Sequence, residues 1–143
     1  APLIRSQFSL QREEALIQYV LDRGRFEPIV NILVAKSTTY NGLPRFVIRQ
    51  DRAGSDGEVL ASAGLNWQSP QFAELYVHTK YPYRRRGLGR SVVAAAAQHV
   101  LESGRIPLYV VAAQNQASRQ LAESVGFVDI GLRRFLAEGS RSR

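Results

Sequence analysis

A chain of 143 residues with 45% hydrophobic and 22% charged side chains carries enough apolar surface to bury one core, which excludes a disordered segment and predicts a single domain over 1–143. The absence of cysteine and the presence of only two histidines, His78 and His99, exclude disulfides, thiolate catalysis and a convincing metal site. No apolar run approaches the roughly 20 residues a membrane helix needs, and no secretory leader is recognisable at the front, so a cytoplasmic protein without membrane contact is expected.

The net charge of +7 suits a polyanionic partner such as nucleic acid or a phosphorylated small molecule. An arginine excess that only keeps the surface solvated is the ordinary alternative. Location decides more than the total. The densest cluster is Arg84-Arg85-Arg86, with Arg90 close behind, and it lies beside two glycines.

In chain order, residues 2–8 suit a short strand and Ser9 an N-cap. The i,i+4 pairs Leu16/Val20 and Ile17/Leu21 predict a helix over 13–21, closed by Gly24. Pro28 opens a second helical candidate through Ala35, although Ile29-Val30 and Ile32-Leu33-Val34 fit a strand equally well. Asn41-Gly42 is a turn signal. Residues 45–50 and 58–67 read as a hairpin around a loop rich in Asp and Gly, with Val59, Ala61, Ala63, Leu65 and Trp67 alternating to one face. A further strand over 72–79 sets Leu75 and Val77 against Glu74, Tyr76 and His78. Residues 87–103 form a long helix with the stripe Leu88, Val92, Ala96, Val100, closed by Gly104. Residues 108–113 are an apolar run of buried-strand length. Asn115 caps a short helix closed by Gly126, and 127–135 is the last strand.

The stretch from Glu74 to Phe127 carries the chemistry. A strand ends near Thr79, a basic turn follows, and Arg84-Arg85-Arg86-Gly87-Leu88-Gly89-Arg90 opens a helix. Amides at a helix start lack partners and carry partial positive charge. Glycines let a phosphate approach those amides, and arginines add paired donors. The pattern points to a diphosphate site. It is neither a Walker loop, which needs Gly-Lys-Ser/Thr, nor the dinucleotide Gly-x-Gly-x-x-Gly turn.

Arg84-x-x-Gly87-x-Gly89 between a strand and a helix, followed by Asn115-x-x-Ser118-x-x-Leu121 and Val125-Gly126-Phe127, resembles the GNAT superfamily of acyltransferases. Val77-His78-Thr79 and the Asn115–Ser118 phrasing look closest to its glycine N-acyltransferase-like branch. The resemblance implies an α/β fold with a mixed central sheet, a splayed strand pair and flanking helices. It also implies transfer of an acetyl or other short acyl group from acetyl-CoA or another acyl-CoA, without a metal, to a primary amine on a small molecule or peptide. A homodimer is among the assemblies it allows. Backbone amides over 85–90, with Arg84, Arg85, Arg86, Gly87, Leu88, Gly89 and Arg90, would hold the pyrophosphate. Tyr76 and Val77 would pair with the pantetheine arm, an amide near Val77 would polarise the thioester carbonyl, and Asn115 and Ser118 would line the far side.

One departure matters. The tyrosine that many family members carry after the leucine of the Asn helix, to protonate the leaving thiolate, is Ala122 here. Either another hydroxyl substitutes, with Ser118 and Tyr83 the candidates, or the thiolate leaves without help. For the base that takes the amine proton, Glu74 and His78 share a strand face; the ordinary alternatives are a carboxylate paired with an arginine and a satisfied strand-end histidine. His99, Trp67, Arg133, Arg134 and the arginines of the tail read as structural or solvated. Two rival functions stand beside the enzyme. One is a non-catalytic acyl-CoA-binding module, which the missing tyrosine favours. The other is a basic nucleic-acid-binding domain, which the interrupting glycines and the scarcity of stacking aromatics other than Tyr81 and Tyr83 disfavour.

Overall fold

A computed structural model describes residues 13–50, 57–80 and 87–137. The expected strand over 2–8, Ser9, Tyr81, Tyr83 and the arginines Arg84, Arg85 and Arg86 lie outside the described residues. Among the described residues the strands are β1 (Glu13–Leu21), β2 (Ala35–Thr38), β3 (Pro44–Arg49), β4 (Val59–Gln68), β5 (Phe72–Thr79), β6 (Ile106–Ala112) and β7 (Phe127–Ala137), and the helices are α1 (Leu88–Glu102) and α2 (Gln116–Val125).

The strands form one sheet in the order β2-β3-β4-β5-β6-β1-β7. Every neighbouring pair is antiparallel except β5 and β6, which run parallel with α1 as the crossover between them. The mixed sheet flanked by helices matches the fold expected from the sequence.

Two expected helices are absent. Residues 13–21 are strand β1, wedged between β6 and β7 and paired to both. Apolar residues at 16, 17, 20 and 21 satisfy a helical period, but Ile17, Tyr19 and Leu21, all buried, also satisfy a period of two. An isolated helix this short is marginal in water, whereas the strand gains a ladder on each edge, and Ile17, Tyr19 and Val20 favour a pleated surface. Residues 28–35 form no helix either. The Asn31 carboxamide accepts from the Leu33 amide at 2.9 Å and donates to Ser91 Oγ of α1 at 3.1 Å, so it offers the backbone a turn in place of a helix. Ile29 and Val34 pack on the core, while Val30 and Ile32 are 93% and 88% exposed. That alternation is incompatible with one apolar helix stripe.

The remaining elements follow their local signals. Asn41-Gly42 makes the β2–β3 turn, with Gly42 at φ 82° donating to the Thr39 carbonyl at 3.0 Å. The hairpin β3–β4 and the strand β5 stand where alternation put them. Gly104 and Gly126, at φ 83° and 118°, follow the two helices in the left-handed conformation expected of a helix end.

One core joins the sheet to both helices: Ala61, Ala63 and Leu65 of β4, Leu75 of β5, Tyr109 and Val111 of β6, and Ile17 and Tyr19 of β1. The small side chains of α1, with Ala94, Ala96 and Ala97 buried, let that helix lie close against β3, β4 and β5. The helix α2 touches α1, β6 and β7, so both helices share a side of the sheet. Trp67 is 41% exposed beside an irregularity between Leu65 and Trp67 that breaks the β4–β5 register.

Candidate active site

The parallel pairing of β5 with β6 runs from Phe72↔Ile106 to Leu75↔Tyr109. Both strands continue beyond it, β5 to Thr79 and β6 to Ala112, with no further pairs between them. From Tyr76 and Val110 onward the strands are therefore split. Backbone groups of β5 that would have faced β6 are left for something else to meet, since a strand edge is a row of donors and acceptors.

Both helix starts follow the split ends of these strands. At α1 the first intrahelical bond is the Ser91 amide to the Gly87 carbonyl, 3.1 Å, so the amides of Leu88, Gly89 and Arg90 have no acceptor within the helix. No acidic residue lies in this first turn to neutralise the positive end of the dipole. Gly87 caps the helix at φ 78°, a conformation costly for any residue with a Cβ.

Gly89 has a second duty. A Cβ there would lie 2.9 Å from Thr79 Oγ1 and 3.0 Å from Leu121 Cδ1, so the bare backbone lets α1, the end of β5 and α2 meet. Leu88 is half-buried against the core, and the Arg90 side chain is exposed. Lys80, just past β5, is ion-paired with Glu58.

At α2, Asn115 is the N-cap, and its carboxamide oxygen accepts from the Ser118 amide at 3.1 Å. The oxygen of Asn115 is thus engaged in holding its own helix, which is the structural alternative to lining a ligand. Ser118 is half-buried.

Glu74, Tyr76 and His78 occupy alternate positions of β5, opposite Leu75 and Val77. They differ in surroundings. Glu74 is half-buried and accepts from Asn66 Nδ2 at 3.0 Å, across the register break. Glu74 is in the paired part of β5, opposite Leu108. Tyr76 is the first residue past the last pair, and its ring lies over Gly64, where a Cβ would meet Tyr76 Oη at 2.6 Å. Val77 is half-buried against the core. His78 is exposed, across from Ser62 on β4.

Other expectations resolve simply. His99 packs against Phe46 with ring centroids 5.9 Å apart, and burial, followed by the nearby Lys36, holds its pKa below the usual imidazole value. Arg133 forms a forked pair with Asp129, 2.9 and 3.0 Å, and that hydrogen bonding lowers the Asp129 pKa. Among the described residues no group of three His, Asp or Glu could hold a metal ion, and no helix is long and apolar enough to cross a membrane.

Two polar arrangements had no motif to announce them. Asn66 and its bond to Glu74 depend on a register break between strands. Tyr19 donates to Glu123 at 2.9 Å and accepts from Arg119 at 3.3 Å, tying β1 to α2 beside a shallow hollow lined by Gln116, Arg119, Gln120 and Glu123.

Comparison with known proteins bears on this geometry. The family model described as FR47-like protein matches residues 58–136, the segment that contains β4, the split and α2. Comparison with curated proteins gives no match. Among solved structures, a GNAT-family protein from Novosphingobium aromaticivorans is 22% identical with a TM-score of 0.71, over 87% of this chain and 62% of that one. An acetyltransferase of the GNAT family from Colwellia psychrerythraea is 13% identical with a TM-score of 0.67, over 93% of this chain and 60% of its own. A GCN5-related N-acetyltransferase from Kribbella flavida is 16% identical with a TM-score of 0.63, over 95% and 63%. The fold is therefore the GNAT fold, and the chain spans about three fifths of the length of these neighbours.

Proposed function

The chain belongs to the FR47-like family, and from that premise we propose that it is an acyltransferase moving an acetyl or other short acyl group from acyl-CoA to a primary amine. The observation that carries the reading is the split of β5 from β6 beyond Leu75 and Tyr109, followed by the α1 start, where the amides of Leu88, Gly89 and Arg90 have no acceptor within the helix. A pantetheine arm has amides of its own and suits the unpaired edge of β5 at Tyr76 and Val77. A pyrophosphate suits the amides of Leu88, Gly89 and Arg90, assisted by Arg84, Arg85, Arg86 and the exposed Arg90. Asn115 and Ser118 bound the other side. The N-acetyltransferase name of the Kribbella flavida neighbour supports the same chemistry, and the Val77-His78-Thr79 and Asn115–Ser118 phrasing supports the glycine N-acyltransferase-like branch.

The reaction then asks three things of these residues. A backbone amide of β5 near Val77 stabilises the charge that develops on the thioester oxygen. An amine with a pKa near ~10.4 is neutral only about once in a few thousand molecules at pH 7, so a base assists attack. Glu74 takes that proton, directly or through water, with Asn66 fixing its orientation. His78, exposed on the same strand face, is the second candidate. The departing thiolate meets a donor from α2, where the helix offers Ser118 and not a tyrosine. The experiment is calorimetric titration with acetyl-CoA, followed by turnover with a panel of amines and amino acids. Binding together with transfer is expected; a protein that binds no acyl-CoA is not this enzyme.

A further inference from the structure

Gly64 belongs to neither sequence motif, yet a side chain at the site takes its position from it. It lies inside β4, buried, and is paired with Tyr76 of β5. A Cβ at Gly64 would lie 2.6 Å from Tyr76 Oη, 2.8 Å from Cζ and 2.9 Å from Cε2. The phenol ring therefore fills the volume that any side chain at 64 would need. The backbone does not ask for glycine here, since φ at Gly64 is not positive. A glycine inside a strand gives up packing and marks a close approach, and the approaching group is the Tyr76 ring.

The direction of that ring matters. In the order β4-β5-β6, β4 is the side of β5 away from the split. Tyr76 is the first residue past the last β5–β6 pair, so a ring leaning over β4 leaves the space toward β6 clear. Glu74 leans the same way, to Asn66 Nδ2 at 3.0 Å. Residues in register share a sheet face, so Leu108, paired with Glu74, and Val110 beyond it border the same space. A tyrosine has few staggered rotamers, and its neighbours along this face of β5 are Glu74 and His78. Denied the volume over Gly64, the ring must stand up from β5 or swing toward β6, into the space now clear. Turning the far end of one side chain disturbs less than parting two paired strands.

We propose that Gly64 determines how bulky an acceptor amine the site admits, by seating the Tyr76 ring over β4 and so keeping the Glu74 side of the split open. The inference rests on the acyltransferase reading above, in which the amine gives its proton to Glu74 and must approach over this face. Gly64 touches none of the reacting atoms; it acts through Tyr76. The backbone of β5, where the pantetheine arm would pair, is the same whichever way the ring points. Acyl-CoA binding is thus expected to be indifferent to residue 64, while the choice among amines depends on it.

The test uses acetyl-CoA with primary amines graded from ethylamine to benzylamine, beside the best amine found by turnover. Release of free thiol is the signal; the chain has no cysteine, so it adds no background. Gly64→Ala lowers kcat/KM for the bulkiest amine the parent uses by about tenfold more than for the smallest, while the calorimetric Kd for acetyl-CoA stays within about twofold. Tyr76→Ala shifts the preference the other way, toward bulkier amines. Adding Tyr76→Ala to Gly64→Ala removes the collision, so the double variant selects as Tyr76→Ala does. If Gly64→Ala fails to fold, Tyr76→Ala and the double variant still carry the test. Parental amine preference in folded Gly64→Ala or in Tyr76→Ala overturns the proposal. So does an equal loss for every amine, a change seen only with longer acyl-CoAs, or a double variant that keeps the defect of Gly64→Ala. A parent that binds no acetyl-CoA and releases no thiol overturns the acyltransferase reading and this role together; an active parent with insensitive variants overturns only this role.

Discussion

The Glu74 carboxylate shows how a residue chosen from alternation acquires a role from its neighbours. Strand period alone put Glu74 on a face with Tyr76 and His78; it could not say which of them is held. Asn66 reaches Glu74 because the β4–β5 register slips between Leu65 and Trp67, and such a slip leaves no mark in either strand's composition. His78 is exposed and has no such bond among the described residues, which is why Glu74 is the base proposed first. Glu74→Gln keeps the size and the hydrogen bond of the side chain but removes the proton acceptor. It is expected to lower turnover by roughly 10²–10⁴-fold at neutral pH with little change in acetyl-CoA affinity. The deficit narrows as pH rises, since more of the acceptor amine is then already neutral. A pH–rate profile checks this; a variant within threefold of the parent throughout would remove Glu74 from the mechanism.

Among the elements, α1 and α2 were legible because their starts and ends are local chemistry: Gly87 and Asn115 at the beginnings, Gly104 and Gly126 past the ends. Strand β1 was not, because the same apolar residues fit both periods and its partners β6 and β7 lie roughly ninety or more residues away along the chain. The glycines of α1 also divide in a way that spacing could not reveal. A Cβ at Gly87 meets nothing within 4 Å, so substitution there strains only the φ of 78°, by about 1–2 kcal/mol, and places bulk beside the free amides. At Gly89 a Cβ meets Thr79 Oγ1 at 2.9 Å and Leu121 Cδ1 at 3.0 Å, so the side chains between α1, β5 and α2 must shift, more so for a branched residue. Gly87→Val is therefore expected to stay folded with acetyl-CoA binding abolished. Gly89→Val is expected to lose several degrees more of Tm, with binding lost as a consequence. Thermal melts beside calorimetry distinguish them; a folded Gly87→Val of parental affinity would contradict the assignment of the α1 start to the pyrophosphate.

At the scale of the molecule, a net charge of +7 raises the local concentration of any polyanion, whereas specific binding depends on where the charge lies. If Arg84 and Arg85 grip phosphates, Arg84→Ala and Arg85→Ala each weaken acetyl-CoA by about 1–3 kcal/mol. The loss is smaller for dephospho-CoA wherever the 3′-phosphate is the one gripped. Unchanged titrations would return both arginines to the solvated surface. The fold-level reading from sequence succeeded because the β5–α1–β6–α2 order is stored in contiguous signals, while the β1 insertion and the Asn31 turn are set by contacts between distant segments. The split of β5 from β6 joins both kinds of information, and one measurement addresses it directly. Amide hydrogen exchange with and without acetyl-CoA is expected to slow at Tyr76 and Val77 on β5 and at Leu88, Gly89 and Arg90 on α1, leaving β2 and the β2–β3 turn unchanged. Protection confined to other segments, or none at saturating acetyl-CoA, would contradict the placement of acyl-CoA in the split.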